Sequence, residues 1–92
     1  MPGFIGRFIH GDRATLAYWT IAPNSVLPEH KHPHEQIVNV LSGEFELTID
    51  GETRLLGEGM VAVIPPNVLH SGRSKTACNI IDVFCPVRED YR

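Results

Sequence analysis

The sequence predicts a single all-β domain, built as a sandwich or barrel of short antiparallel strands. A chain of 92 residues supplies only one hydrophobic core. No stretch of ten or more residues has convincing helical periodicity, and many short segments typical of strands are separated by Gly, Pro and Asn. We expect one domain over residues 1–92, with a short N-terminal segment at 1–13, the barrel at 14–85 and a C-terminal tail at 86–92.

The first half of the chain predicts three strands. Residues 4–9 (FIGRFI) form a short strand that Gly6 weakens. Residues 14–22 (ATLAYWTIA) are rich in β-branched and aromatic side chains, and the turn residues Pro23-Asn24-Ser25 end this strand. A histidine-rich strand follows and ends at Ser42-Gly43.

The second half predicts five more strands. Residues 44–50 (EFELTID) alternate between apolar and polar side chains, as in a half-buried strand, and Asp50-Gly51 is a two-residue hairpin signal. Gly, Pro and Asn turns then separate the remaining strands, which we place at Thr53–Leu56, Met60–Ile64, Leu69–Arg73 and Ala77–Cys85.

The histidine-rich strand carries His30, His32, His34 and Gln36 at alternate positions. Side chains two apart share one face of a strand, so a single extended strand would present three imidazoles and an amide together. Neutral imidazole is the commonest metal ligand in proteins. The pattern therefore predicts a metal site that takes at least one further ligand from elsewhere in the chain.

Composition narrows the classes of partner and the compartment. A net charge of −3 without a basic run disfavours nucleic acid and anionic membrane surfaces. No apolar run approaches the ~20 residues of a transmembrane helix, and the N-terminus has no pattern of a signal peptide, so the cytoplasm is expected. Cys78 and Cys85 would lie about 23 Å apart on one strand, too far for a disulfide, which agrees with a reducing compartment.

Two segments resemble the paired motifs of the cupin superfamily, whose members are small jelly-roll barrels. The first family motif has Gly, five residues, His-x-His, three or four residues, Glu, six residues and Gly. It corresponds here to Asn24, His30-Lys31-His32, Gln36 and Gly43. The second has Gly, five residues, Pro-x-Gly, two residues and His, and corresponds to Gly59, Pro65-Pro66-Asn67 and His70. The resemblance covers about residues 14–85.

Two departures from these motifs have physical consequences. Asn24 and Asn67 replace glycines, and Asn is the residue that best tolerates positive φ after Gly, so both turns can form. Gln36 replaces the usual Glu, which keeps an oxygen ligand but removes a negative charge and any use as a general base.

The resemblance implies a metal-ligand set of His30, His32, Gln36 and His70. Three imidazoles and an amide suit Ni, Zn, Mn, Fe or Cu, and the type of ligand does not choose among them. His34 has no counterpart in the family pattern, so we expect it at the surface or at the rim of a pocket. We expect His10, outside both motifs, to be exposed to solvent.

The last strand carries a second group of candidate residues. Asp82 interrupts an apolar run, where an unpaired carboxylate is costly to bury. It either faces the metal cavity or forms a structural ion pair with Arg88, and the residues alone leave both open. The tail after Asp82 resembles that of the pectin-degradation cupins, which linearise 4,5-unsaturated uronates. That resemblance implies functional roles for Asp82, Phe84 and Arg88.

The function predicted on this basis is a metal-dependent enzyme that opens or isomerises an unsaturated uronate in pectin or alginate breakdown. The alternatives are another metal-dependent cupin enzyme such as a dioxygenase, and a non-catalytic cupin that binds a sugar. Ile37 and Leu41 point away from the ligand face of their strand. We therefore expect a homodimer through packed sheets, the alternative being that these residues contact the N-terminal strand of the same chain.

Overall fold

The described residues form nine strands, followed by a single 3-10 turn. A computed structural model describes residues 1–91, the last of them by its backbone alone, so the predicted tail at 86–92 includes one residue, Arg92, outside the described residues. The strands β1 to β9 are, in order, Phe4–His10, Thr15–Ile21, Val26–His30, Glu35–Ser42, Phe45–Ile49, Glu52–Leu56, Val61–Ile64, His70–Ser74 and Cys78–Cys85, and the 3-10 turn is Glu89–Tyr91. The predicted all-β architecture is confirmed.

The strands form two antiparallel sheets. The five-stranded sheet has the order β1-β2-β9-β4-β7, and the four-stranded sheet has the order β3-β8-β5-β6. Neighbouring strands within each sheet are mostly distant in sequence, as expected for the jelly-roll arrangement. Residues far apart in the chain are therefore brought together between the sheets.

The hydrophobic core lies between the two sheets, on their facing sides. In β9 the residues at even positions are buried while their odd neighbours are exposed or half-buried, and β4 shows the same alternation over most of its length. Each sheet contributes aliphatic and aromatic side chains to one cluster, which comprises Ile21, Val38, Val40, Phe45, Leu47, Leu56, Ile64, Cys78 and Ile80.

The predicted histidine-rich strand is wrong in one respect: it is two strands that belong to different sheets. Val26–His30 pairs with β8 in the four-stranded sheet, whereas Glu35–Ser42 pairs with β9 and β7 in the five-stranded sheet. Residues 31–34 connect them without strand pairing. Pro33, which has no N–H to donate to a ladder, lies within this connection. The alternate spacing of the histidines therefore does not place them on one strand face.

The turns follow the sequence closely. Asn24 has φ 58° and Asn67 has φ 61°, so both asparagines adopt the left-handed conformation expected of the glycines they replace. Asp50 and Gly51, with φ 49° and 79°, close the hairpin between β5 and β6, as a two-residue turn of this kind requires.

The two cysteines are both free, as predicted. Cys78 is buried in the core and Cys85 is exposed at the other end of β9. Within the described part of the chain, no helix is long and apolar enough to cross a membrane.

Gly43 and Gly51 offer a matched test of how tightly the chain is packed at a turn. Both have positive φ, but a Cβ at Gly43 would overlap the carbonyl oxygen of Ala77, whereas one at Gly51 would meet no described atom within 4 Å. We expect Gly51→Ala to lower the free energy of unfolding by about 1–2 kcal/mol through backbone strain alone. Gly43→Ala should cost about 1–3 kcal/mol more, because the overlap adds to the strain. Urea denaturation of the two variants measures the difference, and equal losses would contradict it.

Candidate metal centre

Three imidazoles meet at one end of the space between the sheets. His30 ends β3 and is paired across the four-stranded sheet with His70, which begins β8. His32 approaches them from the connection that crosses to the other sheet. The ring centroids of His30 and His70 are 4.2 Å apart, and those of His32 and His70 are 4.9 Å apart. One nitrogen from each of the three rings lies within 4.8 Å of the others. These three histidines could therefore bind a metal ion.

Each of the three imidazoles is oriented by a backbone carbonyl. Nδ1 of His30 lies 2.9 Å from the Pro28 oxygen, Nδ1 of His32 lies 3.0 Å from the His34 oxygen, and Nδ1 of His70 lies 2.9 Å from the Val68 oxygen. A carbonyl oxygen only accepts, so each Nδ1 carries the hydrogen. In the neutral ring, Nε2 then keeps its lone pair, and this is the arrangement in which histidine binds a metal through Nε2.

Gln36 adds an amide oxygen to the same cluster. Its Oε1 lies 3.1 Å from Nε2 of His32, and its side chain also forms a hydrogen bond with Asp82. A carboxylate accepts, so the amide nitrogen faces Asp82 and the amide oxygen faces His32. Nδ1 of His32 already carries the ring hydrogen, so in a neutral His32 the Nε2 atom has a lone pair. This lone pair then points at the lone pairs of Oε1 of Gln36. A cation between the two atoms would satisfy both.

Burial favours the neutral forms of His32 and His70. Burial lowers the pKa of His70 to about 4, although its hydrogen bond to the Val68 carbonyl acts in the opposite direction. Burial and the nearby charge of Arg88 lower the pKa of His32. Nε2 of His70 is buried without a hydrogen-bond partner among the described residues. An unsatisfied, neutral, buried ring nitrogen that faces two other imidazoles fits a metal ligand.

Asp82 faces inward, beside this cluster. It lies in the middle of β9, flanked by Ala17 of β2 and Val38 of β4, and is 7% exposed. Burial raises the pKa of Asp82 to about 7, while hydrogen bonds from Gln36 and Trp19 and the charge of Arg88 act in the opposite direction. Its Oδ1 has no hydrogen-bond partner within residues 1–91. Asp82 therefore faces the cavity, which it lines together with His30, His70 and Arg88.

Arg88 forms an ion pair with Asp90 in the 3-10 turn after β9. Its Nε and Nη2 donate to the two carboxylate oxygens of Asp90, at 2.8 Å and 2.5 Å. The guanidinium carbon lies 4.8 Å from the centroid of the Phe84 ring, and Arg88 is 7% exposed. Phe84 in turn packs edge-on against His32. Arg88 is thus a buried cation beside the imidazole cluster.

The two remaining histidines lie outside the cluster. His34 is half-buried, with Nε2 3.3 Å from the Val87 oxygen, so it joins the connection between β3 and β4 to the C-terminal segment. The expected exposure of His10 is wrong: it is half-buried, and its Nδ1 lies 2.9 Å from Oγ1 of Thr15. Thr15 is buried between β1 and β9, and this pairing draws the His10 ring inward.

Sequence reasoning missed two residues that shape the site. Trp19 reaches Asp82 with a hydrogen bond from the neighbouring strand β2, and Asp90 holds Arg88. The alternation along β2 could have predicted the inward position of Trp19, because Trp19 lies two residues from the inward-facing Ala17 and shares its face of the strand. No pattern in the sequence placed Asp90 against Arg88, since that contact depends on the 3-10 turn after β9.

Comparison with known families and sequences places these features in context. A family model described as "Cupin domain" matches residues 17–84. The pectin degradation protein KdgF of Dickeya dadantii (strain 3937) is 36% identical over 72 residues, which make up 76% of this chain and 66% of that protein. The H2HPP isomerase of Bacillus subtilis is 33% identical over 76 residues, or 82% of this chain and 32% of that protein. The chain thus spans just under two thirds of the first relative's length and about a third of the second's.

A solved structure extends the similarity to the whole fold. The structure of KdgF from Halomonas sp. superposes with a TM-score of 0.94 at 28% sequence identity. The superposition covers 100% of this chain and 86% of that one.

Metal binding should depend on the three clustered imidazoles and not on the neighbouring His34. We expect His32→Ala and His70→Ala each to weaken Zn²⁺ or Ni²⁺ binding by more than about 100-fold, since losing a ligand should cost at least as much as losing a group that orients one. His34→Ala is the matched control and should bind within a few fold of the unsubstituted chain. Calorimetric titration of each metal-free protein measures the affinities, and a large loss in His34→Ala alone would contradict the assignment.

The stability of the metal-free protein should fall as Asp82 ionises. The pKa of Asp82 is about 7 in the folded chain against an ordinary value of 3.8, so the folded state binds more protons between these two pH values. The contribution is fully present below pH 3.8, is lost as the pH rises towards 7 and changes no further above it.

The matched reference is Asp82→Asn, which keeps the shape and cannot ionise. Relative to this variant, the wild-type chain should lose free energy of unfolding between pH 4 and pH 7 with a slope of up to about 1.4 kcal/mol per pH unit. Urea denaturation at a series of pH values, with chelator present, gives the slope. A difference between the two proteins that does not change with pH would contradict the raised pKa.

Proposed function

This chain belongs to the cupin family, and from the centre described above we propose that it is a metal-dependent enzyme that opens or isomerises a 4,5-unsaturated uronate from pectin or alginate breakdown. The observation that carries the proposal is the position of Asp82. A carboxyl group that burial brings to a pKa of about 7 lies beside three clustered imidazoles, and the Gln36 amide lies between Asp82 and His32. A proton donor and a metal site are thereby held in one cavity.

The proposed ligands are His30, His32, Gln36 and His70. A divalent metal bound there would polarise an oxygen of the sugar as a Lewis acid and would leave further coordination positions for water or substrate. The choice of metal, from Ni, Zn, Mn, Fe and Cu, is left to measurement.

Asp82 is the proposed general acid and base. A pKa near 7 means that both the protonated and the ionised forms are populated at neutral pH, which is the condition for transferring a proton in either direction. In this role Asp82 would move the proton that accompanies opening of the hemiacetal and conversion of the enol to the ketone. Hydrogen bonds from Gln36 and Trp19 orient the carboxyl group.

Arg88 and Phe84 are proposed to hold the substrate. The cavity that they line together with His30 and His70 has a volume of about 50 Å³, room for a few water molecules, so a monosaccharide would lie at the mouth with only its reacting atoms inside. The guanidinium of Arg88 is suited to a uronate carboxylate, because it binds carboxylates through two parallel hydrogen bonds. Asp90 already makes such a pair, so the substrate carboxylate would share Arg88 with Asp90 or exchange with it.

The names of the relatives support this choice over an oxygenase. One is a pectin degradation protein and the other is an isomerase. An isomerase rearranges its substrate without an external oxidant, and Asp82 supplies the proton transfer that such a reaction requires.

Activity should require both the ligands and Asp82, but for different reasons. With the metal-loaded chain, we expect the ultraviolet absorbance of unsaturated uronates in a pectate-lyase digest to disappear faster than without protein. Asp82→Asn should bind metal normally and lose at least about 100-fold in rate, the scale of general acid–base catalysis. His32→Ala should lose metal binding and catalytic rate together. Glu58→Gln serves as the control, because Glu58 is exposed and lies far in the sequence from the residues of the site.

Two results would contradict the proposal. One is an unchanged absorbance with metal-loaded protein under conditions in which a known enzyme of this class is active. The other is full activity in both Asp82→Asn and His32→Ala. Tight binding of the uronate without turnover would instead favour the non-catalytic sugar-binding alternative.

A further inference from the structure

Thr15 carries a buried hydroxyl group that the proposed reaction does not use. It begins β2, is 0% exposed and shares the inward face of that strand with the buried Ala17 two residues on. Buried polar side chains are almost always hydrogen-bonded. Among the described residues, Oγ1 of Thr15 has two partners, the backbone N–H of Arg88 at 2.9 Å and Nδ1 of His10, also at 2.9 Å.

The hydroxyl of Thr15 is oriented from both directions. The Arg88 amide can only donate, so Oγ1 of Thr15 accepts this hydrogen bond. The hydroxyl hydrogen then has Nδ1 of His10 as its acceptor within the described part of the chain. The His10 ring lies against Phe8, with centroids 6.4 Å apart and planes 17° from parallel. One lone pair of the hydroxyl is therefore directed at the Arg88 amide.

The peptide group that joins Val87 to Arg88 is held at both of its polar atoms. Val87 is buried, and its carbonyl oxygen accepts a hydrogen bond from Nε2 of His34, 3.3 Å away. The N–H of the same peptide group donates to Thr15. One bond comes from the connection between β3 and β4 and the other from β2. The backbone at Arg88 is thus fixed between two different parts of the barrel.

This anchor sets the direction of the Arg88 side chain. Thr15 pairs with Phe84 across β2 and β9, and Phe84 pairs with Gln36 across β9 and β4, so the three form one inward row. The Arg88 amide lies at the Thr15 end of the row, whereas its guanidinium carbon lies 4.8 Å from the centroid of the Phe84 ring. The side chain therefore runs along the row, from β2 towards Gln36 and the imidazole cluster.

Asp90 and Thr15 both hold Arg88, but a ligand can displace only the first of these two. Asp90 binds the guanidinium through a side chain that is 56% exposed, so an incoming carboxylate can take its place. Thr15 binds the backbone and is fully buried, so a ligand at the mouth of the cavity does not reach it. When one carboxylate replaces the other on the guanidinium, the anchor at Thr15 stays in place.

We propose that Thr15 is a positioning residue, which holds the Arg88 guanidinium where it binds the carboxylate of a ligand. The inference rests on the proposed function in taking that ligand to be a uronate. Two parallel hydrogen bonds to a carboxylate require a guanidinium plane of fixed orientation, because both bonds weaken when the plane tilts. Without the hydroxyl, the Arg88 amide loses its buried partner, and the segment shifts to satisfy it. The loss falls on recognition of the carboxylate.

NMR titration of the Zn²⁺-loaded chain with D-galacturonate and with D-galactose tests the proposal, because these sugars differ in having a carboxylate or a hydroxymethyl group. We expect the unsubstituted chain to prefer galacturonate. Thr15→Val keeps the β-branched shape without the hydroxyl, and should weaken galacturonate binding at least about 10-fold but galactose binding less than about twofold. Thr15→Ser keeps the hydroxyl and should retain the preference. In the same spectra, the Arg88 amide should exchange with solvent faster in Thr15→Val than in Thr15→Ser.

Arg88→Gln separates positioning from a general loss of structure. Since Thr15 is proposed to act through Arg88, adding Thr15→Val to Arg88→Gln should not change the ratio of the two dissociation constants further. Thr48→Val is the matched control, because Thr48 is also a strand threonine with a hydrogen-bonded hydroxyl, 2.7 Å from that of Thr53 on the other sheet. This control should leave the ratio unchanged. The amide spectrum of each variant establishes that it is folded, and Thr15→Ala, with the same expectation, replaces Thr15→Val if that variant is not.

Three results would overturn the proposal: no preference of the unsubstituted chain for galacturonate, a preference that Thr15→Val leaves intact, and an equal loss when Thr15→Val is added to Arg88→Gln. Failure of the proposed reaction gives a different result. A chain that shows the expected preferences but leaves unsaturated uronates unchanged would refute the reaction and support the role of Thr15. Turnover of uronates with a preference that does not depend on Thr15 would support the reaction and refute the role.

Discussion

The candidate site depends on fixing three imidazoles so that one nitrogen of each is turned towards a common point. Backbone carbonyls of Pro28, His34 and Val68 take the Nδ1 hydrogens, and burial opposes protonation of His32 and His70. Without a cation, this arrangement leaves Nε2 of His70 unsatisfied among the described residues and turns lone pairs of His32 and Gln36 towards each other. These costs are local. The rest of the domain, a packed core between two sheets, holds the rings in place against them.

Burial shifts the pKa of Asp82 and the pKa values of His32 and His70 in opposite directions, and both shifts favour neutral groups. Burial raises the pKa of Asp82 and lowers the pKa of His70, because burial disfavours whichever form is charged. Gln36 connects the two groups through its amide and, unlike a glutamate, adds no charge of its own. Gln in place of the usual Glu thus keeps a hydrogen bond to Asp82 and adds no negative charge, which leaves Asp82 as the buried carboxyl group beside the cluster.

Local chemistry made most of the fold predictable, whereas contacts between distant segments made part of the site unpredictable. Strand positions followed from alternation, and the positive φ of Asn24 and Asn67 followed from what Asn tolerates in place of Gly. The parity of the histidines predicted one strand face that includes His34, and only the family resemblance added His70. The structure differs from the strand face because His30 and Gln36 lie on different sheets, and the connection between them carries His32. The pairing of Arg88 with Asp90 arises from the 3-10 turn after β9, for which the sequence has no distinctive pattern.

The strands that supply the site also fix the distances within it. In β4 and β9 the inward residues Gln36, Asp82 and Phe84 alternate with the outward residues Ile37, Ile81 and Val83. The two strands pair with each other over most of their length, and β9 also pairs with β2. Since Asp82 takes its position from the backbone of β9 and its hydrogen bond from Gln36 on β4, the register of these two strands sets where the carboxyl group lies relative to the imidazole cluster.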